Sequence, residues 1–148
     1  MLSRGENKFN CCESVLMKVD TEKSLPGFTP EVMRIASNFG GGVSGWGTVC
    51  GAVSGACMSL GLEYGTEGDE PATVYSEKRE KQRNSTKRFL KAFEDKWGHV
   101  NCFDLLGVDF NTPEGKIKYD AMKEAGETHC SEYVLWASEK IIEMLNDR

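Results

Sequence analysis

The chain has 148 residues, a hydrophobic content of 39% and a formal net charge of −5. A chain of this size and composition is expected to fold as one globular domain, residues 1–148, around a single core. Its mild acidity argues against binding to nucleic acid or to anionic membranes. No apolar run follows the first charged residues, so no signal peptide is predicted and a cytoplasmic location is expected.

Two amphipathic helices are predicted near the start of the chain. Residues 7–19 carry apolar side chains at i, i+3, i+4 and i+7, which is the spacing of one buried helix face. Thr29 offers a cap for the second helix, and Pro30 suits its first position. The three glycines at 40–42 are predicted to end this second helix.

A third helix is predicted over residues 46–62, within a stretch at 35–62 that has no charged residue. Because this stretch is rich in glycine, serine and threonine, we predict a buried central helix and no membrane insertion. Trp46, at its start, is expected to be a core residue. Small residues recur every four positions on one face, at Gly47, Gly51, Gly55 and Ser59. Such a strip allows a close approach of another helix, within the chain or in a homodimer, that offsets the ~1 kcal/mol helix cost of each glycine.

The second half of the chain is also predicted to be helical. A long helix is expected from about Pro71 to Trp97, and a short helical piece at 101–106. Two further helices are predicted over residues 113–125 and 129–146. No alternating strand pattern of useful length is present. The predicted fold class is therefore all-α, a compact bundle of about five or six helices around the central glycine-rich helix.

Two further patterns are interpreted as structural. Seven basic residues lie between positions 78 and 91, but glutamates are mixed with them, which is typical of a solvated helix face and predicts no nucleic-acid partner. Gly40, Gly42 and Gly45 match the spacing of a dinucleotide fingerprint. That fingerprint requires a preceding strand, whereas a helix is predicted here, so no nucleotide site is expected.

The six cysteines are the strongest chemical signal. They come from four segments: Cys11 and Cys12, Cys50 and Cys57, Cys102, and Cys130. Metal binding or thiol chemistry is the expected use of so many cysteines in a reducing compartment. Cys50 and Cys57 would be ~10.5 Å apart along one helix, too far to form a disulfide. Cys102 and Cys130 begin predicted helices, where the helix dipole favours the thiolate.

Four blocks of the sequence occur in an order that is similar to a known family. They are Asn10-Cys11-Cys12-Glu13-Ser14-Val15-Leu16, Cys50-Gly51-Ala52-Val53-Ser54-Gly55, Cys102 with Leu105-Leu106-Gly107-Val108-Asp109, and Cys130 with Val134. Over residues 9–145 the chain resembles the redox-active C_GCAxxG_C_C family, which is defined by four cysteines and a CGAxxG motif. The resemblance implies that Cys11, Cys50, Cys102 and Cys130 are the functional cysteines.

The remaining two cysteines, Cys12 and Cys57, fall where members of that family usually carry other small or apolar residues. Helical periodicity places Cys12 at the centre of the apolar face of the first helix. Cys12 is therefore expected to pack in the core, and its neighbour Cys11 to face the site.

Three hypotheses about function follow. In the first, two of the four cysteines cycle between dithiol and disulfide with a redox partner that the sequence does not specify. Cys102 or Cys130 would attack, and Cys50 or Cys11 would resolve the intermediate. Such a protein would be a thiol-based oxidoreductase. In the second hypothesis the four cysteines hold Zn²⁺ or an iron–sulfur cluster, with His99 and His129 as spare ligands. In the third, the protein is a non-catalytic helical assembly module.

Overall fold

The computed structural model describes residues 1–147. Seven helices and one two-stranded sheet occur within this range, which confirms the prediction of a mostly helical fold. The helices are α1 (Cys11–Lys23), α2 (Pro30–Ala36), α3 (Gly51–Tyr64), α4 (Ala72–Trp97), α5 (Cys102–Leu106), α6 (Pro113–Glu124) and α7 (Cys130–Asn146). Among residues 1–147, no helix combines the length and the apolar content needed to cross a membrane.

A short β-hairpin precedes α1 and was not predicted from the sequence. Its strands are β1 (Ser3–Arg4) and β2 (Asn7–Lys8), which pair antiparallel. The predicted start of the first helix at residue 7 is therefore wrong. The helix begins at Cys11 because Asn10 and Glu13 form a capping box, with the Asn10 Oδ1 accepting from the Glu13 N–H at 2.8 Å.

The central helix α3 begins at Gly51 rather than at residue 46. The preceding loop contains Gly45 and Gly47 with φ of 78° and 85°, in the left-handed region that a right-handed helix cannot include. Trp46 lies in this loop with 69% of its surface exposed, so the prediction that it is a core residue is wrong. Gly47 is likewise outside the helix, which leaves Gly51, Gly55 and Ser59 as the small-residue strip.

The strip on α3 is covered by α1 of the same chain. A Cβ at Gly55 would lie 2.6 Å from the Cys12 carbonyl oxygen and 2.9 Å from the Val15 Cβ, both in α1. Ser59 is fully buried, and its hydroxyl donates to the Gly55 carbonyl at 2.9 Å. Close packing of two helix backbones within the chain is thus the role of these residues.

The main core lies where α1, α3 and α7 pack against one another, with α4 against α3 and α7. Its most deeply buried large side chains are Leu16, Leu60, Phe89, Phe93 and Ile141. Aromatic rings extend this core, since Phe93 and Trp136 meet edge to face with centroids 5.8 Å apart. A second, smaller apolar cluster forms beside it, where α5 and α6 meet the start of α7.

Candidate functional site

The four cysteines that the family resemblance singles out all lie at the beginning of a helix. Cys11, Cys102 and Cys130 are the first residues of α1, α5 and α7, and Cys50 is the N-cap residue of α3. The sequence predicted this position only for Cys102 and Cys130. The first N–H groups of a helix have no intrahelical partner, and they favour negative charge nearby.

The same four cysteines line one cavity of about 230 Å³. Other residues around it are Met1, Asn10, Gly40, Gly41, Gly51, Leu105, Leu106, Phe110, Tyr119 and Tyr133. Cys50 and Cys102 expose only 4% and 8% of their surface, whereas Cys11 and Cys130 are half-buried. The cavity therefore has a deep pair and a more accessible pair of thiols.

Backbone hydrogen bonds bring Cys50 and Cys102 to the cavity together. The Cys50 N–H donates to the Val100 carbonyl at 2.8 Å, and the Cys102 N–H donates to the Thr48 carbonyl at 2.7 Å. Val49 and Asn101, between these bonds, form an isolated antiparallel bridge. Two segments that are fifty residues apart in the sequence are thus held side by side immediately before α3 and α5 begin.

Cys11 reaches the cavity because a glycine faces it. A Cβ at Gly51 would lie 2.9 Å from the Cys11 Cβ and 2.9 Å from the Phe39 carbonyl oxygen. Asn10, which caps α1, also donates through Nδ2 to the carbonyls of Ala36 and Ser37, at 3.3 and 3.2 Å. These contacts fix the start of α1 against the end of α2.

Cys11 and Cys130 form an interacting pair of thiols. Hydrogen bonding from the Cys11 thiol, assisted by Thr128 and by the charges of His129 and Lys123, lowers the pKa of Cys130 to about 7 against burial. The same hydrogen bond, together with burial, raises the pKa of Cys11 far above its usual value. In this pair Cys130 is the more acidic thiol, and Cys11 is the one that keeps its proton.

In the deep pair, Cys50 and Cys102, both thiols have a raised pKa. Burial raises the pKa of Cys102 to about 12, with smaller contributions from Cys50 and Cys130. Burial also raises the pKa of Cys50 to about 11, although the backbone N–H groups of Ala52 and Val53 favour its thiolate. Both thiols are therefore protonated at neutral pH.

The other two cysteines lie away from the cavity. Cys12 is completely buried in the core, as expected, and its thiol donates to the Met58 thioether sulfur at 3.5 Å. Cys57 is half-buried and packs against the same core. Burial raises the pKa of Cys12 to about 12 and that of Cys57 to about 11, so neither is a thiolate at neutral pH.

A metal centre needs several ligand side chains that converge on one point. Zinc requires four ligands at about 2.0–2.3 Å, and cluster iron requires thiolates around one centre. In the described range 1–147, no group of three or more His, Cys, Asp or Glu side chains is arranged to hold a metal ion. His129 instead pairs with Glu132 at 2.7 Å, His99 is exposed, and neither lines the cavity. The residues as placed do not fit such a centre.

Two tyrosines that line the cavity, Tyr119 and Tyr133, were not predicted from the sequence. Tyr133 follows Cys130 by three positions on α7, a spacing that puts both on one helix face and was available as a signal. Tyr119 lies on α6, and no spacing relates it to any of the four cysteines. Only the packing of α6 brings it to the cavity.

Comparison with known proteins gives one finding on the family. The model of the family described as "Putative redox-active protein (C_GCAxxG_C_C)" matches residues 9–144, nearly the whole chain. Neither the curated proteins nor the solved structures contain a match to this chain.

Proposed function

Because the chain belongs to the C_GCAxxG_C_C family of redox-active proteins, we propose that it is a dithiol oxidoreductase in which Cys130 attacks and Cys11 resolves. The observation that carries this proposal is the interacting pair of unequal thiols. One of them is acidic enough to be partly ionised at neutral pH, and the other is its protonated neighbour in the same cavity. Thiol–disulfide exchange needs an accessible thiolate and a second thiol in reach.

The proposed reaction reduces a disulfide of a partner molecule. The Cys130 thiolate attacks one sulfur of that disulfide, forms a mixed disulfide, and displaces the other sulfur as a thiolate. Cys11 then loses its proton to solvent and attacks the Sγ of Cys130. The Cys11–Cys130 disulfide forms, the second partner thiolate leaves, and both leaving thiolates take up protons. Two electrons pass from the protein dithiol to the partner disulfide.

Cys102 was an equal candidate for the attacking thiol on sequence grounds, because it also begins a helix. Its burial and its raised pKa favour the thiol form, and its helix is only five residues long. Cys130 begins a helix of 17 residues and has a hydrogen-bond donor beside it. These differences support Cys130 as the nucleophile, with Cys50 and Cys102 as buried thiols that complete the cavity.

The two alternatives, a metal site and an assembly module, each rest on one feature of the structure. The convergence of four cysteines on one cavity favours a metal site, but their placement does not bring three ligands to one centre. The assembly hypothesis relied on a free small-residue strip, and α1 covers Gly51 and Gly55 of that strip. The dithiol proposal fits the observed arrangement of the thiols better than either alternative.

The test is a count of thiols and a map of disulfides. The protein is purified without oxygen, assayed for zinc, iron and sulfide, and titrated with a small oxidising disulfide. Trypsin would release Cys130 in a peptide of residues 124–140 and Cys11 in a peptide of residues 9–18, so their disulfide gives one linked species in mass spectrometry. We expect loss of two thiols and this linked pair.

Three variants complete the test. Cys11→Ser should leave Cys130 as a mixed disulfide that is not resolved, and Cys130→Ser should abolish the reaction. Cys12→Ala shares the tryptic peptide of Cys11 and should still form the linked pair. Stoichiometric zinc or iron with sulfide in the purified protein would contradict the dithiol proposal and support the metal centre.

A further inference from the structure

The loop between α2 and α3 contains five consecutive residues with positive φ. With φ between 49° and 78°, they are Gly41, Gly42, Val43, Ser44 and Gly45. L-residues other than glycine rarely adopt this left-handed region, and a β-branched residue such as Val43, with φ of 64°, is a genuine outlier there. Backbone strain of this kind clusters at active sites and ligand clamps. A function of the loop would account for the retention of this strain.

Hydrogen bonds hold the strained loop in one conformation. The Gly47 N–H donates to the Gly41 carbonyl at 3.1 Å, and the Thr48 hydroxyl donates to the Gly42 carbonyl at 2.8 Å. The loop is also joined to α5, because the Phe103 N–H donates to the Gly47 carbonyl at 3.0 Å. The loop and the first turn of α5 therefore form one fixed unit.

This unit presents large apolar side chains to solvent. Trp46 exposes 69% of its surface, Phe103 46% and Val43 40%. Trp46 and Phe103 are neighbours, since a Cβ at Gly47, the residue after Trp46, would lie 3.1 Å from the Phe103 Cβ. The Trp46 N–H donates to the Val43 carbonyl at 3.0 Å. These three apolar residues form what we call the rim surface, and exposed apolar residues that lie together mark interaction sites.

The rim surface adjoins the cavity of the four cysteines. Gly41, in the strained loop, lines the cavity. Phe110 also lines it, and a Cβ at Gly45 would lie 3.9 Å from the Phe110 Cβ. On the α5 side, Phe103 directly follows Cys102, another residue of the cavity. The cavity and the rim surface are thus continuous.

The size and the lining of the cavity restrict the class of disulfide that fits. Its volume of about 230 Å³ is below the ~300 Å³ of the smallest pockets that enclose a drug-sized ligand. Most of a peptide-sized substrate would therefore lie outside it. Among the described residues 1–147, those that line the cavity include no Lys, Arg, His, Asp or Glu, and the stretch 35–62, which contains the loop, is uncharged. A substrate held through its carboxylates, as glutathione disulfide would be, meets no cationic side chain in this lining or loop.

Building on the proposed dithiol function, we propose that the substrate is a disulfide in a polypeptide, whose apolar side chains dock on the rim surface. The cystine sulfurs enter the cavity and reach Cys130, and the flanking residues lie against Trp46 and Phe103. Tryptophan is among the residues that supply most of the binding energy at protein interfaces. Because the loop is held in one conformation, docking costs little ordering of the protein. The reaction is the same transfer of two electrons from Cys11 and Cys130 to the partner disulfide.

The experiment compares how fast the reduced protein reduces three disulfides at neutral pH. They are hydroxyethyl disulfide, glutathione disulfide and the symmetrical disulfide of the blocked peptide acetyl-Gly-Phe-Cys-Leu-Gly-amide. Each rate constant is divided by that of dithiothreitol with the same disulfide, which removes differences between the leaving thiols. In the wild-type protein we expect the peptide disulfide to react about tenfold faster than glutathione disulfide on this normalised scale.

Variants of the rim surface test where the peptide docks. Trp46→Ala and Phe103→Ala should each lower the ratio of the peptide rate to the hydroxyethyl disulfide rate about tenfold. Leu135→Ala removes a side chain that is 47% exposed, close to the 46% of Phe103, but that lines a different groove with Leu2 and Lys18. It should keep the wild-type ratio. Circular dichroism should show unchanged folding in all three variants.

Val43→Gly tests whether the strain serves docking. Glycine adopts a φ of 64° without strain, so this variant should raise the urea midpoint of unfolding while it lowers the rate ratio for the peptide. Val74→Gly, at a valine of similar exposure in the helix α4, should lower the midpoint and keep the ratio. A wild-type rate ratio in Val43→Gly would show that the strained loop does not take part in docking.

Two further results would overturn the inference. One is an equal normalised rate for glutathione disulfide and the peptide disulfide, or an unchanged ratio in both Trp46→Ala and Phe103→Ala. The other is a dimer in sedimentation that Trp46→Ala converts to a monomer, which would assign the rim surface to a second copy of the chain. If hydroxyethyl disulfide is still reduced and the Cys11–Cys130 disulfide forms, only the substrate class fails. If no disulfide is reduced, the proposed function fails with it.

Discussion

The accessible pair, Cys11 and Cys130, and the deep pair, Cys50 and Cys102, line the same cavity and all stand at helix starts. Yet the pKa of Cys130 falls to about 7, while those of Cys50 and Cys102 rise to about 11 and 12. Burial disfavours a thiolate at all four positions. At Cys130 the neighbouring Cys11 thiol, Thr128 and the charges of His129 and Lys123 outweigh burial and lower the pKa. A helix start therefore does not by itself make a cysteine reactive.

The largest expected effect comes from removing the thiolate of the accessible pair. At pH 7 a thiol of pKa about 7 is half ionised, and one of pKa about 11 is ionised to about one part in ten thousand. The lower nucleophilicity of the more acidic thiolate offsets this about a hundredfold, which leaves an advantage of roughly fiftyfold. Cys130→Ser should abolish the fast phase of alkylation at pH 7, and Cys102→Ser should keep it. A fast phase that survives in Cys130→Ser would contradict the comparison.

The contact that places Cys11 should be sensitive to one methyl group. Gly51→Ala would put its Cβ 2.9 Å from a backbone oxygen and from the Cys11 Cβ, so we expect a loss of about 1–3 kcal/mol in the free energy of unfolding. Gly61→Ala, on the same helix, meets only a flexible Gln82 side chain at 3.7 Å and should gain about 0.5–1 kcal/mol. Urea denaturation measures both, and equal effects would argue against a tight contact at Gly51.

Cys130 and the deep pair should have opposite effects on the pH dependence of stability. The pKa of Cys130 is lowered from 9.0 to about 7, so between these values the unfolded state binds more protons and stability rises with pH. The slope is at most about 1.4 kcal/mol per pH unit. Above pH 9, the raised pKa values of Cys11, Cys50 and Cys102 reverse the slope, because these thiols ionise first in the unfolded state. Urea titrations from pH 6 to 11 should show this maximum, and Cys130→Ser should lose the rising limb.

The smallest expected effect concerns the cap of α1. Asn10→Ala removes the side chain that accepts from the Glu13 N–H and donates to the carbonyls of Ala36 and Ser37. We expect about 1 kcal/mol less stability and a slower formation of the Cys11–Cys130 disulfide. Asn10→Asp restores the cap but cannot donate to the Ala36 and Ser37 carbonyls, so it should recover only part of the stability. Full disulfide formation at the wild-type rate in Asn10→Ala would show that the cap does not position Cys11.

The sequence predicted the helices with clear caps better than those without them. The helix after Thr112 and Pro113 was predicted to start where it does, because a cap and a proline at the first position are local signals. The start of α3 was misplaced, since the left-handed conformations of the preceding loop follow from its contacts with Phe103 and its own turns. Trp46 was misassigned for the same reason. The N-terminal hairpin is too short for an alternating pattern to reveal it.

By itself the sequence determined the mostly helical fold, the family, and the placement of Cys12 in the core. These depend on periodicity, caps and motifs, which are local or ordered along the chain. Only the tertiary structure decided which cysteines line one cavity and which of them has the lowest pKa. Ionisation depends on burial and on neighbours from other helices, such as Cys11 beside Cys130, and no spacing along the chain encodes it. Tyr119 reaches the cavity in the same way, through the packing of α6.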